Sequence, residues 1–224
     1  MVNLLQNNLG PGGTGKSHLI KILSKWIEKT LRVAGDDPDN PKVLIMTFTG
    51  KAAINIGNNL SLFLSKILSI KIVILLKGGT TIHSALNMNF GNEYIPLGDE
   101  TKQKLQHHFK DLRVVIIDEF SMVSADLFYN INRRLQDIMG LKDPFGGLAV
   151  IMLGDLLQLS PVKGRKTFHS PLNFNARVFW SVKPNLWDKF EVSFLSTSIF
   201  LSMYLISFLP EGKKYYNNFY VNKL

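Results

Sequence analysis

The chain has 224 residues, 46% of them apolar, which is enough for one α/β domain with a sizeable core and argues against disorder of the whole. It has no cysteine, which excludes a disulfide scaffold and any Cys-based metal site. The net charge of +9 favours a polyanionic partner, although three of those charges (Lys66, Lys71 and Lys77) fall in one unusual stretch and a net one in the final 34 residues, leaving +5 elsewhere.

The opening, MVNLLQNNLG, has neither the basic start nor the apolar run of a secretory signal, so an intracellular location is expected, with the nucleus preferred and the mitochondrion as the alternative. A helix is predicted from Lys16 to about Leu31, where Leu19, Ile20, Leu23, Trp26, Ile27 and Leu31 recur at helical spacing. AGDDPDNP then breaks it. Three short apolar runs, VLIMTF (43–48), VVII (114–117) and LAVIML (148–153), suit strands of a mainly parallel sheet buried on both faces. TKQKLQHHFKDL, before the second run, reads as a surface helix, with His107 and His108 on its solvated face. Leu127, Phe128, Ile131, Leu135 and Ile138 mark a further amphipathic helix, with Arg133 and Arg134 assigned to its wet side.

Residues 10–17, GPGGTGKS, fit the phosphate-loop pattern GxxxxGK[ST] and open directly into the first helix. Gly10, Pro11, Gly12, Gly13, Thr14 and Gly15 would wrap the backbone around phosphate oxygens, Lys16 would reach the β- and γ-phosphates, and the Ser17 hydroxyl would hold Mg²⁺. The polar stretch LLQNNL before it makes a poor first strand. Asp118 and Glu119 follow the second apolar run, where Asp118 would orient Mg²⁺ and Glu119 would activate the attacking water. The competing reading makes the two acids caps of the next helix. GDLLQLSPV (154–162) ends the third run, with Gln158 placed to sense the γ-phosphate and Asp155 to tie it to the nucleic-acid side. TFTGKAA (47–53) is either a second phosphate-holding turn, with Thr49 and Gly50 against a nucleic-acid strand, or an ordinary βα turn. His83, in TTIHS, is assigned to the same groove. ATP is the expected nucleotide, since no guanine-reading NKxD is present.

GPGGTGKS, TGKAAINIG, GTTIHSAL, VVIIDEFSM, FGG and GDLLQLSPV, in this order, resemble the PIF-type DNA helicases, a superfamily 1 group related to RecD and to Helitron helicases. The resemblance implies a RecA-like P-loop NTPase domain over residues 1–190 and a 5′-to-3′ ATP-dependent DNA helicase acting on single-stranded or tailed duplex DNA. Repair, recombination and telomere upkeep are the processes it implies. The family's phosphate, magnesium, base and sensor roles fall on Lys16, Ser17, Asp118, Glu119 and Gln158, and its strand-contacting turn on Thr49 and Gly50. The family also hydrolyses ATP between two RecA-like domains, so slow turnover is expected of a chain that matches only the first.

Two stretches depart from the family pattern. Deleting residues 58–78, a Leu/Ile/Ser/Lys-rich insert, restores NIGGTTIHSAL, and Gly-Asn and Lys-Gly codons can carry the GTAA and AG of splice sites. We read the insert as translated intron sequence, a hypothesis that a spliced transcript retaining it would overturn. The tail, residues 191–224, diverges in the same way after LWDKFEV, and its uncharged run from Val192 to Pro210 also admits a membrane anchor. A catalytically inactive nucleotide- or DNA-binding remnant of a transposon helicase, or a membrane-tethered interaction protein, are the alternative functions.

Overall fold

The computed structural model describes residues 16–50, 52, 80–90, 93–154, 159–162, 164–169, 186–198 and 201–208, the last two strands as backbone only. The phosphate loop through Gly15, the side chain of Lys16, the insert 58–78 and both Asp155 and Gln158 therefore lie outside the described residues.

The elements run α1 (Lys16–Leu31), β1 (Val43–Thr47), β2 (Thr80–Thr81), a helical turn α2 (Ile82–Ala85), α3 (Asp99–His108), β3 (Val114–Asp118), α4 (Ala125–Met139), β4 (Ala149–Gly154), β5 (Glu191–Ser198) and β6 (Leu201–Phe208). The sheet order is β2-β1-β3-β4-β6-β5. The first four strands are parallel, and β6 pairs antiparallel with both β4 and β5. The expected mainly parallel sheet flanked by helices is thus present. The tail contributes a strand hairpin to it, not a membrane-spanning helix, and no described helix is long and apolar enough to cross a membrane.

The three apolar runs form central strands because alternate side chains reach opposite faces and both faces are covered. On one face Val43, Val114, Ile116, Ala149, Ile151 and Leu153 pack with Ile20 and Ile27 of α1. On the other, Leu44, Met46, Val115, Ile117, Val150 and Met152 meet Leu127, Phe128, Ile131, Leu135 and Ile138 of α4. The helical periodicity read from the sequence therefore names the buried stripes of both helices.

α4 begins where the Ser124 Oγ accepts from Leu127 N at 3.2 Å and ends at Gly140, whose φ of 68° forms a left-handed cap. The FGG segment packs against this helix: Phe145 N donates to the buried Asn132 Oδ1 at 2.7 Å, and a Cβ on Gly146 would lie 2.6 Å from the Leu135 carbonyl oxygen. Only glycine fits there.

Two side chains sit otherwise than the sequence suggests. Arg134 is 3% exposed, not on the wet side with Arg133: its Nη2 donates to the Ile95 carbonyl at 2.8 Å and the Asn87 carbonyl at 3.5 Å. It lies 5.1 Å from the Tyr94 ring centre, over which Arg133 stacks at 4.1 Å. The Tyr94 hydroxyl donates to Asp137, and burial, reinforced by that bond, pushes its pKa up to about 12. A long side chain can turn back over its own helix to satisfy carbonyls of another segment, which a helical wheel does not show. His107 is exposed as expected, but His108 is half-buried, its Nε2 has no hydrogen-bond partner among the described residues, and burial lowers its pKa.

Candidate functional site

Asp118 and Glu119 stand at the carboxyl end of β3, the second strand in from the outer β2 and fully covered on both faces. Open α/β sheets bind ligands at this rim. Asp118 is 4% exposed, and its Oδ1 accepts from Glu119 N at 2.9 Å. Glu119 then turns sharply, with φ 56° and ψ 38°, the left-handed region that residues with a Cβ seldom enter. That turn ends the strand and redirects the carboxylate sideways toward β1.

There it meets two hydroxyls. Glu119 Oε2 accepts from Thr49 Oγ1 at 2.8 Å and, more weakly, from Thr47 Oγ1 at 3.4 Å. Strand register explains the meeting, because Thr47 pairs with Asp118 in the parallel β1–β3 ladder. Thr49 also accepts from Ala52 N at 3.3 Å, so one hydroxyl both caps the turn after β1 and holds the acid. The two acids do not cap the helix that follows: the Glu119 side chain makes no capping bond to the 3-10 turn Phe120–Met122, and Ser124 caps α4.

Ser17 lies in the first turn of α1 and is half-buried. Near the other end of α1, Glu28 Oε1 accepts from Lys42 N, one residue before β1 starts, at 3.1 Å. With Ile20 and Ile27 packed on the sheet, α1 runs back against the strand direction and carries its N-terminal turn toward the rim of Asp118 and Glu119. No acidic residue occupies that first turn, which leaves the positive end of the helix dipole for an anion.

On the outer side, β2 pairs Thr80 with Met46 and Thr81 with Thr47. The Thr81 hydroxyl accepts from Ser84 N at 3.3 Å and starts α2, which carries His83. His83 stacks on Phe90 with ring centres 4.4 Å apart and planes at 25°. Burial lowers the His83 pKa, which favours the neutral imidazole. Phe90 is 89% exposed although it lies against this ring. Gly50 is exposed, and nothing lies within 4 Å of where its Cβ would be.

The structure thus joins Asp118, Glu119 and Thr49 by direct hydrogen bonds and sets His83 one strand further out along the same rim. Sequence reasoning passed over Thr47, whose i, i+2 relation to Thr49 was a usable signal. It also passed over Phe90, where an aromatic among Asn and Gly was the available sign. Among the described residues no three His, Asp or Glu side chains cluster as a metal cage. A Mg²⁺ held by one carboxylate, one hydroxyl and nucleotide phosphates needs no such cage.

The PIF1-like helicase family model matches residues 67–206. The ATP-dependent DNA helicase PIF1 of Danio rerio is 33% identical over 161 residues, 70% of this chain and 20% of that protein. The ATP-dependent DNA helicase PIF1 of Emericella nidulans is 31% identical over 156 residues, 68% of this chain and 17% of that protein. The crystal structure of Pif1 helicase from Candida albicans matches with a TM-score of 0.50 at 28% identity, covering 70% of this chain and 30% of that one. The chain spans a fifth or less of the length of these curated relatives. Matched over more than half its residues by the family model, and over two thirds by relatives above 30% identity, the chain belongs to the PIF1-like helicase family.

Proposed function

We propose that this chain supplies the ATP-hydrolysing and strand-contacting face of a 5′-to-3′ DNA helicase acting in DNA repair, recombination or telomere maintenance, inside the cell and in the nucleus or mitochondrion. The observation that carries the reading is the Asp118–Glu119 pair at the end of a central parallel strand, with the Glu119 carboxylate held by Thr49 of the neighbouring turn. Two adjacent acids at that rim suit one metal-orienting and one base role.

In this reading residues 10–15 enclose the ATP phosphates, Lys16 neutralises the β- and γ-phosphates, and Gln158 senses the γ-phosphate. Ser17 and Asp118 offer the oxygen donors that Mg²⁺ prefers, and the ion when bound offsets phosphate charge. Glu119 takes the proton from the attacking water. The Thr49–Gly50 turn takes a backbone phosphate of a single-stranded or tailed DNA. His83 and Phe90 form the adjoining base-facing side, since an exposed ring backed by a neutral imidazole suits base stacking.

The test is ATP turnover by the whole chain with and without oligodeoxythymidylate, for the wild type and for Glu119→Gln. DNA-stimulated turnover that falls at least about 10²-fold in the variant, with nucleotide binding retained, is the expected outcome. Equal rates in both proteins would overturn the catalytic assignment. Unwinding of 5′-tailed but not 3′-tailed duplex tests the direction.

A further inference from the structure

The Thr49 hydroxyl has a single proton to donate. In this structure it goes to Glu119 Oε2 at 2.8 Å. If the Thr49–Gly50 turn receives a nucleic-acid phosphate, as proposed above, the same proton is the natural donor to the phosphate oxygen. The two acceptors are anionic oxygens competing for one hydrogen, and both are half-exposed or reach the residue from solvent.

We infer that Thr49 is a positioning residue that couples strand binding to the base: bound to Glu119 it ties up Oε2, and a strand phosphate that captures the hydroxyl releases that oxygen toward the attacking water. This inference rests on the reading of the turn as the strand contact and adds the regulation of that site. No bond is made or broken in the exchange; one hydrogen bond replaces another. Thr47 stays behind as the weaker donor at 3.4 Å, so the carboxylate is loosened and not lost from the rim. Ala52 N, which donates to the opposite side of the hydroxyl, keeps the side chain in place during the exchange.

Coupling is reciprocal: if the strand frees Glu119, Glu119 must weaken the strand's hold. Binding alone therefore tests the link, without any need for turnover. Fluorescein-labelled oligodeoxythymidylate is titrated with the whole chain by anisotropy, at one salt concentration, for wild type, Thr49→Val, Glu119→Asn and the double variant. Asn tolerates the left-handed backbone at 119 but is too short to reach Thr49. Thr49→Ser, which keeps the hydroxyl, serves as the conservative variant, and circular dichroism confirms folding of each protein.

Glu119→Asn is expected to tighten binding about five-fold when Thr49 is intact, the low end of typical coupling because the pair is half-exposed. In the Thr49→Val background the same change should alter affinity by less than about two-fold, the residual effect of one removed charge. Thr49→Ser should restore the larger response. An equal effect of Glu119→Asn in both backgrounds, with clear wild-type binding, overturns this coupling and leaves the strand-contact reading intact. A wild type that does not bind the oligonucleotide overturns both.

Discussion

Gly154, the last residue of β4, lies so close to Phe120 that a Cβ on it would sit 2.6 Å from Cδ1 of that ring and 3.2 Å from its backbone nitrogen. Phe120 follows Glu119 directly, is 1% exposed and has Trp187 6.1 Å away on the other side. The ring therefore has little room to retreat. Gly154→Ala should cost about 1–3 kcal/mol by overpacking and displace the turn carrying Glu119. Urea unfolding checks the first effect, and DNA-stimulated ATP turnover at a temperature where the variant stays folded checks the second.

Arg134 fastens the segment between α2 and α3 from beneath, through the carbonyls of Asn87 and Ile95. Arg134→Met keeps much of the stem but leaves those carbonyls without their donor, so a loss of about 1–3 kcal/mol is expected. Limited proteolysis with mass-spectrometric mapping should show new cleavage between residues 87 and 97. Arg134→Lys puts one ammonium in place of a planar fork and should restore only part of the protection.

Phe90 offers a stacking face without a charge. Phe90→Ala should weaken oligodeoxythymidylate binding about 5- to 100-fold, in keeping with the roughly 1–3 kcal/mol of one base–aromatic contact. The dependence of affinity on salt should not change, because no phosphate contact is removed. A reduced salt slope would instead mean that the substitution disturbs the basic surface.

His108 and His83 both have pKa values held below the ordinary 6.5 by burial. The unfolded chain thus binds these protons more readily than the folded one. Their contribution to stability is in place above about pH 6.5 and is lost as pH falls from there toward the lowered folded values. Urea midpoints measured from pH 7.5 down to 5.5 should drop, and the drop should be shallower in His108→Gln. His107→Gln, at an exposed position, should leave the slope as it was.

How much of this was legible beforehand depended on range. α1, α4 and the three apolar strands could be read because their burial follows periods of 3.6 and 2, which are local properties of the chain. The position of Asp118 and Glu119 at a strand end was legible for the same reason. The bond from Thr49 to Glu119 spans 70 residues of sequence and depends on which strands become neighbours, which no periodicity encodes. The burial of Arg134 was missed because its partners are carbonyls some 40–47 residues away, contributed by a segment with little pattern of its own. The tail was read by composition as foreign or membrane-bound, whereas backbone pairing with β4 asks only for an open edge of matching length.

The left-handed backbone at Glu119 sets folding against work at a single position. Glycine there would relax the chain and should raise its unfolding free energy by about 1 kcal/mol while abolishing the acid. A lineage selected only to stay folded would therefore shed this residue among its first changes, and one that must still turn over nucleotide would keep tolerating the penalty. Screening random variants for thermal resilience alone is accordingly a route to well-behaved but idle proteins, and position 119 is where such escapes should collect.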